Sequence, residues 1–271
     1  MRRFALFAVA AITVSLAAME PGQPRPPLQP NAASAARAQA DTQSGGSSPA
    51  FAAFTLKLVP ADVARSYGGF EFDPSRMRAR SIMLDELIKF AYNVESYQLA
   101  GEPAWVRPSV STPLYQFEAV TESPATASEM RPMVRVVLDQ CCHLKYHVSS
   151  KRMDVYTLRL IGKAPKFAAL PLGAKQTPQS PYEYVMPNVQ ALVHFLNGPA
   201  FFTLLGRPVV DKTGLEGDFD IHFTMANSYV YSAADVHLDE RLASELGLKL
   251  VAETIDVPIM TIDSMEAPSG Q

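Results

Sequence analysis

Cys141-Cys142-His143, with His147 four residues on, sets two sulfurs and two imidazoles within seven positions. On a strand, 141, 143 and 147 share a face, and thiolate and imidazole are the ligands that zinc prefers. Adjacent cysteines rarely ligate one ion together, however, and no second cluster supplies the missing ligands. A strained vicinal disulfide is the alternative in an oxidising compartment. The reading adopted is two small, largely buried thiols at a helix end. Five histidines occur in the chain, at 143, 147, 194, 222 and 237. His222 beside Asp220 has the makings of an oriented base, although alternation with Ile221 and Phe223 equally puts both on the wet face of a half-buried strand. No nucleophile elbow, Ser-x-x-Lys pair, H-E-x-x-H helix, Walker loop or dinucleotide fingerprint is present. Neither a catalytic residue nor a cofactor or metal site is therefore assigned. Trp105, the only tryptophan, is expected as a loop aromatic pinned into the core.

Asp211-Lys212-Thr213-Gly214 spells the phosphorylated-aspartate motif of ion-pumping ATPases. That chemistry needs a carboxylate nucleophile at a strand end, Mg²⁺ held by further aspartates, and a nucleotide. Here Leu215 stands where the pump continues with threonine, and no multi-span membrane domain exists. The expected structure is a turn in which Asp211 and Thr213 bond their own backbone and Gly214 and Gly217 supply positive φ. Gly206, Arg207, Pro208, Asp211, Lys212, Thr213, Gly214 and Gly217 are thus read together as a structural motif.

These residues must be positioned by a fold of α+β class, with antiparallel sheets packed by amphipathic helices. Strands are expected at Phe54–Leu58, at Phe70 and Phe72 after the Gly68-Gly69 turn, and at 115–120. Ser81 is expected to cap a helix with a buried stripe of Leu84, Leu87, Ile88, Ala91 and Tyr92. A second helix presents Met130, Val134, Val137, Leu138 and Cys141, and strands at 143–148 and 155–161 follow as a hairpin turning at 150–154. A third helix carries Val189, Leu192, Val193 and Leu196 and stops at Asn197-Gly198-Pro199. Strands at 207–210 and 218–225 flank the motif. Asp235 is expected to cap a last helix with Leu238, Leu242 and Leu246, ended by Gly247, before strands at 248–252 and 257–262. Leu138, Cys142, Leu144 and Lys145 correspond to Leu242, Leu246, Leu248 and Lys249 at an offset of 104. That leaves open a duplicated helix-plus-hairpin module, with halves at 51–162 and 186–266.

Arg2 and Arg3 ahead of the apolar run Phe4–Ala18 read as a secretory signal peptide over residues 1–19, the alternative being an uncleaved anchor. Residues 20–50, rich in Pro, Ala, Ser and Gly, read as a disordered linker, and 51–271 as the folded domain. The 271 residues are 48% hydrophobic and 19% charged, which excludes wholesale disorder. Residues 50–271 hold 20 Lys and Arg against 25 Asp and Glu, which argues against nucleic acid as a partner. Two cysteines cannot build a disulfide scaffold.

Three stretches carry a family resemblance: 84–94 leading into Gln98-Leu99-Ala100-Gly101-Glu102-Pro103-Ala104-Trp105, then Val155–Leu158 followed by 162–167, and above all GRPVVDKTGLEGDFDIHFTM at 206–225 with LASELGLKLVAETIDVPIMTIDSMEAPS at 242–269. The chain resembles a family of soil-associated bacterial secreted proteins of unknown function. It departs from that pattern at NGPAFF before residue 206, at Cys141-Cys142 where the family usually has an Arg-Phe pair, and in a short loop after 218–225. The resemblance implies export without an established activity. Some relatives carry the domain behind a membrane metallopeptidase of the antibiotic-sensor type. The helix-plus-hairpin ending is also similar to the N-terminal modules of secretins and TonB-dependent receptors, which bind partners. The expectation is a periplasmic or secreted binding module for an envelope protein or peptide, presenting an edge strand, with membrane contact only through the signal segment if it stays uncleaved. The alternative is a hydrolase of cell-wall or extracellular polymer. Oligomeric state is left open.

Overall fold

The computed structural model describes residues 49–60, 68–180, 182–224 and 237–268. The signal segment, nearly all of the linker and Asp235 lie outside the described residues. Within them the fold is α+β.

The first sheet has the order β1-β5-β3-β2, all antiparallel, from β1 (Ala53–Leu58), β2 (Phe70–Asp73), β3 (Arg76–Ile82) and β5 (Tyr115–Val120). Strand β3 was not expected. Its sequence, RMRARSI, buries Met77, Ala79 and Ser81 and turns the arginines out, so an alternating pattern is hidden by its charge. Ser81 consequently lies in a strand rather than capping a helix, and Met83 precedes α1 (Leu84–Tyr92) without a side-chain cap. Helix α2 (Ala127–Cys142) starts at Thr126, whose hydroxyl accepts from the Glu129 amide while the Glu129 carboxylate accepts from the Thr126 amide. Leu84, Leu87, Ile88 and Ala91 of α1 and Met130, Val134, Val137 and Leu138 of α2 close over Leu56, Met77 and Phe117 as one core. Trp105 packs at its margin.

A second core lies beneath the antiparallel sheet β7-β10-β8, formed by β7 (Ala168–Ala169), β8 (Glu183–Met186) and β10 (Phe219–Thr224). Helix α3 (Val189–Leu196), capped by Asn188 onto the Ala191 amide at 2.8 Å, contributes Val189, Leu192, Val193 and Leu196. A further helix, α4 (Pro199–Leu205), begins where the chain was expected to break, because Pro199 occupies the first turn, where its missing N–H costs nothing. Helix α5 (Leu238–Arg241) continues as a π-helical turn over Leu242–Leu246 and ends at Gly247.

The two cores are joined by β6 (Lys145–Leu160) and β11 (Leu248–Ser264), which pair antiparallel from Leu248↔Leu160 to Ser264↔Lys145. The expected hairpins do not form. The turn expected at 150–154 is continuous strand instead, and its ladder partner is Thr254–Pro258, about a hundred residues away. A strand exposed on both faces has no apolar alternation to betray it. At one end of this ribbon Met260 and Ile262 join the first core; at the other Leu158 and Leu248 join the second. Two short strands complete the sheet in parallel pairing: β4 (Leu99–Ala100) against Met260–Thr261, and β9 (Val209–Asp211) against Tyr156–Leu158. The sheets are therefore not wholly antiparallel. Among the described residues no helix is long and apolar enough to cross a membrane.

Candidate functional site

The motif 206–217 is organised by its own polar atoms. Gly206, at φ 65°, ends α4 and donates its amide to Phe202 C=O at 2.9 Å. Arg207 lies over the Tyr156 ring, and Pro208 C=O accepts the Tyr156 amide at 2.8 Å. These contacts dock β9 onto β6. Asn197 clamps the same strand, its amide oxygen accepting from Val209 N–H and its amide nitrogen donating to Val209 C=O. Asp211 Oδ1 then accepts from both the amide and the hydroxyl of Thr213, each at 2.8 Å, and Thr213 Oγ1 accepts the Leu215 amide at 3.2 Å. Gly214 and Gly217 adopt φ 72° and 100°, which a side chain with a Cβ resists. Asp211 Oδ1 is thereby held as an acceptor inside its own turn.

This loop forms one wall of a cleft of about 670 Å³. Facing it are Asn93, which ends α1 in the left-handed region, Ser128 and Arg131 from the first half of α2, and Asn188, Val189 and Gln190 at the start of α3. Arg131 lies over the Phe90 ring, 5.4 Å from its centroid, and donates to Asn93 Oδ1. Its Nε is buried without a hydrogen-bond partner. Burial, reinforced by Arg135, lowers the guanidinium to about 10. Lys212 projects from the opposite wall, exposed, with its backbone N–H tied to Leu158 C=O at 2.9 Å.

The other chemical candidates do not converge. Cys141 and Cys142 are free; burial pushes both thiols up, Cys142 to about 12, so neither is a ready thiolate. His143 caps α2 at φ 47°, while His147 pairs with Asp263 at 2.8 Å on the exposed ribbon. Among the described residues no three His, Cys, Asp or Glu are grouped to hold a metal ion. His222 sits between Asp220 Oδ1, 3.0 Å from Nε2, and Glu183 Oε1, 3.2 Å from Nδ1 but out of line for a hydrogen bond. Each ring nitrogen thus lies beside a carboxylate. His194 reaches Glu95 at 3.1 Å and His237 lies near Glu240.

Residues 85–265 match the family described as Protein of unknown function (DUF3738). The chain belongs to that family. No curated protein and no solved structure matches it. The DUF3738 match runs from the second residue of α1 to just past β11, so it takes in the cleft and the whole ribbon, while β1–β3 precede it.

The DUF3738 ribbon also exposes backbone. Tyr156 N–H and Leu158 C=O bond to the β9 side, which makes the even-numbered residues of β6 the ones facing away from β11. From Tyr146 to Asp154 no described strand pairs with that edge. Tyr146 and Val148 are exposed there, with Lys151 and Arg152 beyond them. On β11 the equivalent outward position is taken by Pro258, which has no N–H to leave unpaired. Sequence reasoning reached the motif loop but not Arg131, Asn93, Ser128 or the edge. Arg131 lies off the apolar stripe of α2, and nothing local distinguishes it from a solvated arginine.

Proposed function

We propose that this chain is an exported, non-catalytic binding module of the cell envelope, which takes an extended segment of an envelope protein or peptide along the open edge of β6. The observation that carries this reading is the run of outward-facing backbone groups at Val148, Ser150, Arg152 and Asp154, long enough for an added strand of four or five residues. Lys151, Arg152 and Asp154 guard the edge against indiscriminate pairing, so a partner must match their charges. Export rests on Arg2-Arg3 and the apolar run after them. We further read the domain as two copies of one module. In support, strand, helix, short strand, strand, helix and long strand occur in the same order in β3–β6 and β8–β11, setting aside α4 and the 3-10 turn Ser96–Gln98, and the helix-to-strand joints at His143 and Gly247 are both left-handed.

The test uses proline placed by the ribbon's own parity. Ser150→Pro removes an outward N–H and should abolish capture of the partner from an envelope fraction while the melting temperature holds. Ser149→Pro removes an N–H that faces β11 and should lower the melting temperature. Capture that survives Ser150→Pro would overturn the edge reading. Mass spectrometry of the exported chain should find its N-terminus between about residue 18 and about residue 41; an intact Met1 in soluble cytoplasm would overturn export.

A further inference from the structure

The cleft beside the motif loop is lined by two cations, Arg131 and Lys212, and by the carboxylates of Asp211 and Glu216. Most basic side chains of the described structure that sit near an acid are paired with it: Arg159 with Glu253, Lys145 with Asp139, Arg241 with Glu245. Arg131 and Lys212 make no ion pair among the described residues, yet they line the same cavity from opposite walls. Asp218 and Glu95 favour the Arg131 charge without an ion-pair contact, and each has a hydrogen-bond partner of its own. Glu95 accepts from Gln190 and His194, each at 3.1 Å, and Asp218 faces the Asn188 amide at 3.5 Å. Asp211 spends Oδ1 on Thr213, and Glu216, which also lines the cleft, is exposed.

The arginine is also set in place before any ligand arrives. Phe90 supports one face of the guanidinium, Asn93 takes one of its N–H groups, and its Nε is shielded from water without an acceptor. A buried donor left unbonded is unfavourable, and more so when it is charged. Ser128 adds a hydroxyl on the same wall. Gly214 and Gly217 keep the far wall bare: nothing lies within 4 Å of where a Cβ would stand. An arginine fork and a lysine point charge lining one cleft make a donor set that oxyanions select.

We infer that this cleft binds the oxyanion of a small ligand, a carboxylate or a phosphate, between Arg131 and Lys212. This site is separate from the β6 edge and does not depend on the binding mode proposed there.

The experiment is an NMR titration of the mature protein with inorganic phosphate and, separately, with succinate, at low ionic strength. Saturable shifts are expected at Arg131 Nε–H and at the amides of Val189, Gln190 and Gly214. Saturation by phosphate alone assigns a tetrahedral oxyanion, and saturation by succinate alone assigns a carboxylate. Lys212→Gln, an exposed change that leaves the fold intact, should weaken binding by tenfold or more, and Arg131→Gln by more still. Lys163→Gln, at an exposed lysine outside the cleft, should leave binding unchanged. The inference is overturned if neither probe saturates, if the shifts fall elsewhere, or if Lys163→Gln weakens binding as much as Lys212→Gln.

Discussion

The two halves of the domain place helices with the same buried spacing against different flanks. In α1 the stripe is Leu84, Leu87, Ile88 and Ala91; in α3 it is Val189, Leu192, Val193 and Leu196. The positions next to the stripe differ in kind. Asp85 and Lys89 face each other at 3.1 Å with side chains only 2% and 7% exposed, and Lys89 also holds Glu86 and Ser96. Gln190 and His194, at the same places relative to the stripe of α3, instead reach across to Glu95 of the first half. One helix seals its polar flank within its own half; the other uses it to hold the halves together. A shared apolar stripe thus fixes that a helix packs, while the residues beside it decide what it packs against.

The largest effect should come from splitting the buried pair. Burial already pushes the Asp85 carboxyl above its ordinary value, with Lys89 pulling the other way, and Asp85 Oδ1 has no hydrogen-bond partner. Lys89→Met should cost about 3–5 kcal/mol in a urea denaturation curve, because it strands a charge. Adding Asp85→Leu should restore most of that loss. A double variant as unstable as the single would show that the flank of α1 needs its charges.

The helix-to-strand joints come next. Gly247→Ala forces a Cβ into φ 69° and within 3.1 Å of Lys166 Cγ, and should cost about 1–2 kcal/mol. His143→Gly at φ 47° relieves the same strain in the other half and should leave stability unchanged or raise it by up to about 1 kcal/mol. A loss at Gly247 with no loss at His143 is the expected result of paired thermal melts; losses at both would break the likeness of the two joints.

Helix starts give a smaller contrast. Thr126→Ala removes one side of a reciprocal cap on a 16-residue helix and Asn188→Ala a single cap on an 8-residue one. Each should cost about 0.5–2 kcal/mol. The loss at Asn188 should be accompanied by weaker binding of whichever oxyanion saturates the proposed cleft, since α3 opens on it.

The smallest effect concerns the seam. The hydrogen bond to Glu95, outweighing burial, raises the His194 pKa above 6.5. The stabilisation is therefore complete below pH 6.5 and is lost as pH rises through the folded-state value. The imidazole is half exposed, so the difference in stability between pH 5.5 and pH 8.5 should stay under about 1 kcal/mol. Glu95→Gln should flatten it. An undiminished pH slope in that variant would place its origin elsewhere.

By itself the sequence determined whatever is decided within one turn or one face. The stripes of α1, α2 and α3 are visible because helical spacing puts apolar residues on one side regardless of what covers them. The Asp211–Gly217 turn is visible because its hydrogen bonds run between near neighbours, and the alternation of β5 and β10 is visible because one face of each is dry. Only the tertiary structure decided the ribbon, since the pairing of Ser149–Asp154 with Thr254–Ile259 leaves no trace in a segment wet on both faces. It alone also brought Arg131 to Lys212. Eighty residues separate them, and the strand that leads into the Lys212 loop, β9, is docked onto β6 by the Asn197 side chain and by the backbone of Pro208 and Tyr156.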